Sequence, residues 1–197
     1  PGLTDEIVLI GAHLDSWDLG TGAIDDGAGI GITVGAAKLI MDLNKVPKRT
    51  IRVVMFGSEE VGLVGARAYA EKYKKSLHKH IVGAESDFGA GRIWKFDTNF
   101  APEKLYLGDA IHKILEPLGI GRGDNNASGG PDIGPIRELG VPAVTLKQNG
   151  WDYFDYHHTA DDTLDKIDPS DMAQNVAAYA AFTWIVANLD DDFRSTE

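Results

Sequence analysis

The feature that most constrains this chain is the alternation of short, β-branched apolar runs with longer segments of helical periodicity. Glu6–Ala12 (EIVLIGA) and Thr50–Phe56 (TIRVVMF) are apolar along nearly their whole length, as strands buried on both faces of a parallel sheet are. His80–Ala84 and Pro142–Leu146 read as further buried strands, and Arg92–Phe96 as a more peripheral one. Between them lie helix patterns over Asp26–Leu43, Val61–Tyr73, Pro102–Leu118, Pro131–Leu139 and Pro169–Leu189, the last with Asp168 placed to cap it. His13–Asp25, Gly119–Gly130 and Gly150–Thr163 read as loops. Strands alternating with helices predict a three-layer α/β/α sandwich around a mixed, mostly parallel sheet. With 197 residues and no internal linker, residues 1–197 read as one domain.

In such sheets, ligands bind outside the carboxyl ends of the strands. The loops there hold His13, Asp15, Asp25, Glu59, Glu60, Asp87 and His158, so the residue types that ligate metals fall together by periodicity alone. Zinc takes imidazole and carboxylate ligands near four-coordination. Two zincs sharing a carboxylate can clamp a bridging hydroxide. The chain supplies such a set: His13 and Asp87 for one metal, Glu60 and His158 for the other, Asp25 between them. Three carboxylates and a hydroxide balance two dications, which avoids a large desolvation penalty. Adjacent acids cannot both face one metal, so Glu59 is left as general base, taking a proton from the attacking water and delivering it to the leaving amine. Asp15, two residues after His13, is placed to accept the second imidazole N–H of His13. His157 rivals His158 as the ligand, and neighbours in an extended segment point opposite ways. Each fragment has an ordinary reading alone: Asp25-Asp26-Gly27 as a turn, Glu59-Glu60 as a solvated helix start. The joint pattern carries the argument.

Composition narrows the alternatives. The formal net charge of −11 and the lack of a basic patch exclude nucleic acid as a partner. Lys45–Arg49 and Lys72–Lys79 read as solvated helix ends, and Asp190–Asp192 as a solvated tail. Cysteine is absent, which removes thiolate ligands and nucleophiles. No apolar run is long enough to span a membrane, and no signal peptide is visible. There is no phosphate-binding loop, no His-Glu-x-x-His helix and no serine-hydrolase elbow.

His13-Leu14-Asp15-Ser16-Trp17-Asp18, Gly22–Gly29 (GAIDDGAG), Phe56–Gly65 (FGSEEVGLVG), Glu85-Ser86-Asp87 and Tyr156–Asp165 (YHHTADDTLD) match in order and spacing the motifs of a known family. The chain resembles the co-catalytic two-zinc aminopeptidases of the bacterial leucyl aminopeptidase type, and within them a branch that cleaves dipeptides. The resemblance implies a zinc-dependent exopeptidase fold, two Zn2+ per chain (with Mn2+ or Co2+ as substitutes) and a small peptide substrate. It implies the ligand set named above, with His158 rather than His157. It also implies that Ser128–Asp132 and Trp151–Tyr156 help line the substrate pocket. A possible homodimer and a secreted or periplasmic location follow from the same kinship. Family members carry an additional strand and helices ahead of the first strand here, and the nearest branch inserts a protease-associated domain. The resemblance therefore implies a catalytic core with an uncovered sheet edge and lower stability than the longer protein. A one-zinc glutaminyl cyclase on the same scaffold, or an inactive catalytic core acting as a binding domain, are the competing readings.

Overall fold

The computed structural model describes residues 2–195. One sheet runs through the protein. It is built from β1 (Ile7–His13), β2 (Thr50–Phe56), β3 (His80–Glu85), β4 (Ile93–Asn99), β5 (Gly121–Arg122) and β6 (Ala143–Gln148), in the spatial order β2-β1-β3-β6-β4-β5. All adjacent pairs are parallel except β4 with β6, so the sheet is mixed and mostly parallel. Six α-helices accompany it: α1 (Ala28–Asp42), α2 (Val64–Tyr73), α3 (Leu105–Leu115), α4 (Gly134–Arg137), α5 (Tyr153–Tyr156) and α6 (Pro169–Asn188).

The period of two in β1 divides the molecule into layers. Val8 and Ile10 pack with Ile32 and Ala36 of α1, Ile111 of α3 and Phe182 and Val186 of α6. Ile7 and Leu9 pack on the other face with Ala66 and Ala70 of α2 and Ile136 of α4. β1 is buried along all seven residues, which explains its unbroken apolar run. It is also where the connections diverge: β2 lies on one side and β3 on the other, and their carboxyl ends open onto a common crevice.

β2 has the bounds expected of it but is not a buried strand: at the edge of the sheet only its last residue, Phe56, is buried. Asp168 caps α6 by accepting from the backbone N–H groups of Ser170 (2.7 Å) and Asp171 (3.1 Å). Other boundaries move for identifiable reasons. The first helix begins at Ala28 because the Asp26 carboxylate is committed elsewhere, accepting from the N–H of His13 and of Gly29, each at 3.1 Å. The second begins at Val64 because the Glu59 carbonyl takes the N–H of both Gly62 (2.9 Å) and Leu63 (2.8 Å) in a tight turn. β4 is longer than expected and not peripheral; it lies between β6 and β5. Gly121–Arg122 and α5 are short elements inside segments expected to be loop.

Two solvated segments are in fact packed. Arg49 is 1% exposed. It donates to Glu6 Oε2 (3.0 Å), the Val186 carbonyl (2.9 Å) and the Asp191 carbonyl (2.9 Å). Beyond the three aspartates, Phe193 is fully buried and stacks on Phe100 with centroids 4.1 Å apart. Burying one such ring is worth about 1.5–3 kcal/mol, enough to hold an acidic segment against the body. β2 borders the sheet, and its outer edge is unpaired among the described residues. With Ile40, Met41 and Val46 it lines an apolar groove of about 490 Å³. No helix among the described residues is long and apolar enough to cross a membrane.

His80, at the start of β3, is fully buried. Arg52 Nη1 donates to Tyr69 Oη at 2.7 Å, which leaves the phenol proton for His80 Nε2, also at 2.7 Å. That chain needs a neutral imidazole. Burial pushes the His80 pKa down to about 4, and the charges of Arg52, Arg194 and His78 push the same way. The unfolded chain binds this proton below about pH 6.5 while the folded chain does not. Stability from this residue is therefore full above pH 6.5 and falls as pH drops toward 4, by about 2 kcal/mol at pH 5. Thermal melts of wild type and His80→Gln at pH 7 and pH 5 should show a smaller acid-induced drop in the variant; an equal drop would remove His80 from the account.

Candidate metal centre

The crevice at the end of β1 gathers the candidate residues. His13 closes β1. Its Nδ1 lies 2.8 Å from the Asp15 carbonyl, while Nε2 lies 2.9 Å from Asp25 Oδ1 and 3.5 Å from Asp87 Oδ1. A carbonyl cannot donate, so Nδ1 carries the proton. Nε2 then faces two carboxylate oxygens, which is tolerable only with a cation between them, either a proton or a metal. Burial opposes protonation of His13, but Asp25 and Asp87 outweigh it and the pKa is pushed up to about 12. Asp25 is itself held below the usual carboxylate range: burial pushes it up, and His13, His157 and His158 more than reverse this.

Asp15 differs from expectation. Its main-chain carbonyl, not its carboxylate, fixes the His13 ring; the nearest carboxylate oxygen is 3.8 Å from Nδ1. The carboxylate instead accepts the backbone N–H of Glu59 (3.0 Å) and of Glu60 (3.2 Å). It sets the turn that presents both glutamates. Glu60 Oε2 accepts from Trp17 Nε1 and lies against His158 Nε2, each at 2.8 Å. Glu59 is raised to about 7, by burial first and then by Asp87, with His13 opposing.

The two histidines do not point apart. The segment is not extended there: His157 sits at φ −49°, and His158 at φ 60°, in the left-handed region. Their rings stack at 3.6 Å, and both Nε2 atoms reach Asp25 Oδ2, at 3.2 Å for His157 and 3.3 Å for His158. Only His158 also meets Glu60. A left-handed histidine is uncommon and costs on the order of 1 kcal/mol or more, a cost found where a side chain must be aimed.

Residue types and spacing gave no signal for several supporting groups. Asp162 accepts the backbone N–H of Ile24 (2.6 Å) and Asp25 (3.2 Å), clamping the loop that carries Asp25. Asp132, expected in the pocket wall, is buried instead; its N–H donates to Glu85 Oε2 at 2.8 Å, and burial raises the pKa of both acids. Ser128, Gly130 and Pro131 do line a cavity of about 260 Å³ with Asp87 and Phe88. Trp151, Asp152 and Tyr153 line a neighbouring one of about 250 Å³, where Phe88 stacks on Tyr153 at 4.5 Å.

The donor set fits divalent cations. His13, Asp25 and Asp87 can each offer an atom to one ion, as can Asp25, His157 and His158, or His13, Glu59 and Glu60. Asp25 Oδ2 and Glu60 Oε1 are buried without a hydrogen-bond partner. Among the described residues, no lysine or arginine pairs with Asp15, Asp25, Glu59, Glu60 or Asp87.

Residues 1–183 match peptidase family M28. The chain belongs to that family. It is 35% identical to rat carboxypeptidase Q over 187 residues, covering 95% of this chain and 39% of that protein. An aminopeptidase of Bacillus subtilis is 25% identical over 179 residues, covering 86% of this chain and 38% of the relative. The solved structure of a peptidase M28 precursor from Shewanella amazonensis superimposes with a TM-score of 0.96 at 55% identity, over 99% of this chain and 44% of that one. A glutaminyl cyclase from an Acidobacteriales bacterium shares the fold, with a TM-score of 0.73 at 21% identity, over 95% of this chain and 71% of that one. The chain thus spans about two-fifths of the length of the carboxypeptidase Q proteins it matches. Kinship within M28 agrees with the α/β sandwich read from the periodicity.

The Asp162 clamp gives a direct test. Asp162→Ala leaves two buried N–H groups without acceptors, at about 1–3 kcal/mol each. We expect the melting temperature to fall by roughly 4–24 °C, with Asp162→Asn intermediate because it keeps one acceptor. An unchanged melt for Asp162→Ala would show that the Ile24–Asp25 loop is held by other means.

Proposed function

We propose that the chain is the catalytic core of a metal-dependent exopeptidase acting on short peptides, with two zinc ions per chain. His13 and Asp87 hold one ion, Glu60 and His158 the other, and Asp25 is shared. The observation that carries this reading is the placement of Asp25. One of its oxygens meets His13 and the other meets His158, which also meets Glu60. Membership of M28 and likeness to a carboxypeptidase and an aminopeptidase support it.

When bound, the metal pair supplies Lewis acidity, polarising the scissile carbonyl and making an attacking water acidic at neutral pH. The side chains do the rest. Glu59 is the general base: it has no cationic side-chain partner among the described residues, and burial has raised its proton affinity. It accepts the proton from the attacking water and hands it to the nitrogen of the departing amine as the C–N bond breaks. Asp15 is a positioning residue, holding Glu59 and Glu60 through their backbone. Trp17 orients Glu60 through its indole N–H, with its ring tilted against His158 at 5.5 Å. The cavity lined by Asp87, Phe88 and Ser128 and the adjoining one lined by Phe88 and Tyr153 receive substrate side chains.

Two measurements test this together. Metal analysis of the zinc-saturated, desalted protein should give two ions per chain, with hydrolysis of dipeptides lost on chelation. Glu59→Gln should keep both ions and the wild-type melting temperature while losing 10²-fold or more in kcat, the scale of a general base. A single ion in a well-folded chain would end the shared-carboxylate assignment and favour cyclase-type chemistry. Retained activity in Glu59→Gln would remove Glu59 from its role.

A further inference from the structure

Tyr153, the first residue of α5, is a buried ionisable side chain that the hydrolytic steps leave without a role; it is 6% exposed. Three segments of the candidate site close on its ring. Phe88, next to Asp87, stacks on it with centroids 4.5 Å apart. His157 lies against it at 5.0 Å, and the N–H of His157 bonds the Tyr153 carbonyl at 2.9 Å. On a third side Gly89 leaves no room for a side chain: a Cβ there would come within 3.2 Å of Ile24, which precedes Asp25, and within 3.3 Å of the Tyr153 ring. The phenol is thus wedged between the segments that deliver Asp87, Asp25 and His158. His157, which touches it, lies 3.2 Å from Asp25 Oδ2.

The hydroxyl at the end of this confined ring is unused. Among the described residues it makes no hydrogen bond, and unlike Asp25 Oδ2 and Glu60 Oε1 it is not sealed from solvent. A buried phenol ordinarily finds a partner. Burial raises its proton affinity, and Asp25, Asp87, Asp26 and Glu60 raise it further. Those carboxylates are therefore within electrostatic reach of the hydroxyl, and they keep it a neutral donor at working pH.

We infer that Tyr153 is a catalytic residue whose hydroxyl donates a hydrogen bond to the substrate carbonyl oxygen as that oxygen gains negative charge. The inference rests on the exopeptidase reading and adds a residue to its machinery. Charge decides the assignment. The free amine of a substrate is drawn to the carboxylates of the crevice and needs no phenol. The carbonyl oxygen is the one substrate atom that turns negative during attack, and the same carboxylates repel it. A neutral donor held at that oxygen offsets the repulsion, and one fixed before reaction costs no reorganisation as the charge develops. The attacking water oxygen bonds the carbonyl carbon, and the C=O π pair moves onto oxygen, where the phenol O–H meets it without giving up its proton. When the C–N bond breaks the pair returns, and the proton held by Glu59 passes to the amine nitrogen.

The test compares two ligands of the zinc-loaded protein by calorimetric titration, independent of turnover. One is a dipeptide analogue with a phosphinate in place of the scissile amide, whose anionic tetrahedral oxygens stand where the oxyanion forms. The other has that amide reduced to CH2–NH and carries no oxygen there. Tyr153→Phe keeps the ring and removes the hydroxyl. It should weaken the phosphinate about tenfold or more, the scale of a hydrogen bond to a charged group, and leave the affinity of the reduced analogue, the zinc content and the melting temperature unchanged. The kcat for peptide hydrolysis should fall about 10²-fold with KM near the wild-type value. Equal phosphinate affinity in wild type and variant would overturn the inference, as would failure of the wild type to bind the phosphinate. A parallel loss for both ligands would overturn it by assigning the hydroxyl to ground-state binding. A variant that melts early or loses zinc would overturn it by showing a structural hydroxyl. Hydrolysis is assayed separately: a phosphinate-specific loss in a protein that cleaves no peptide would sink the exopeptidase reading and leave the donor in place.

Discussion

Uncompensated negative charge at the carboxyl end of β1 is the constraint around which this molecule is organised. Asp25, Glu59, Glu60 and Asp87 converge there with no lysine or arginine as partner among the described residues, and imidazoles are the only basic side chains that face them. Gathering carboxylates in a partly buried crevice costs several kcal/mol per charge unless something positive joins them. The elevated proton affinity of His13 is the signature of that deficit. In the bare chain a proton on imidazole partly fills it; a divalent ion fills it better, because it adds two charges where the proton adds one and coordinates several oxygens at once.

A second set of acids makes the arrangement rigid without adding to the deficit. Asp26, Asp162 and Asp15 each spend a carboxylate on two backbone N–H groups. Such bonds fix where a loop runs and leave the facing side chain free to ligate. The division of labour between neighbours is consistent: Asp25 faces the centre while Asp26 clamps β1 to α1. Glu85 lies beneath Asp87, bonded to the N–H of Asp132. In these two places neighbouring acids divide between the centre and the scaffold.

The parts visible in the sequence were those governed by local pattern. Strand β1 and the two layers it divides follow from apolar periodicity, because a residue buried on either face must be apolar whatever its partner. The convergence of His13, Glu60 and Asp87 follows from the rule that parallel strands open at one edge. What escaped depended on backbone groups meeting distant carboxylates. Nothing near Asp162 announces that its acceptors lie across the chain at Ile24 and Asp25, and nothing in Asp190–Asp192 reveals that Phe193 beyond them is buried. The His157–His158 pair failed for another reason: its opposed orientation presumes extended backbone, and the left-handed φ of His158 breaks that premise.

That same departure bears on how selective the centre is. His157 and His158 compete for one oxygen of Asp25, so the carboxylate that joins the two halves of the site is contacted by three imidazoles. Only His158 has a second anchor, in Glu60, which is held in turn by Trp17. An imidazole held between two carboxylates loses little further freedom on coordinating an ion, whereas His157 meets Asp25 as its one carboxylate and is otherwise ringed by Tyr153, Phe154 and His158. Pre-organisation therefore favours His158 as the ligand and leaves His157 as the aromatic wall that keeps it in place, a distinction that spacing along the chain could not supply because the two residues are adjacent.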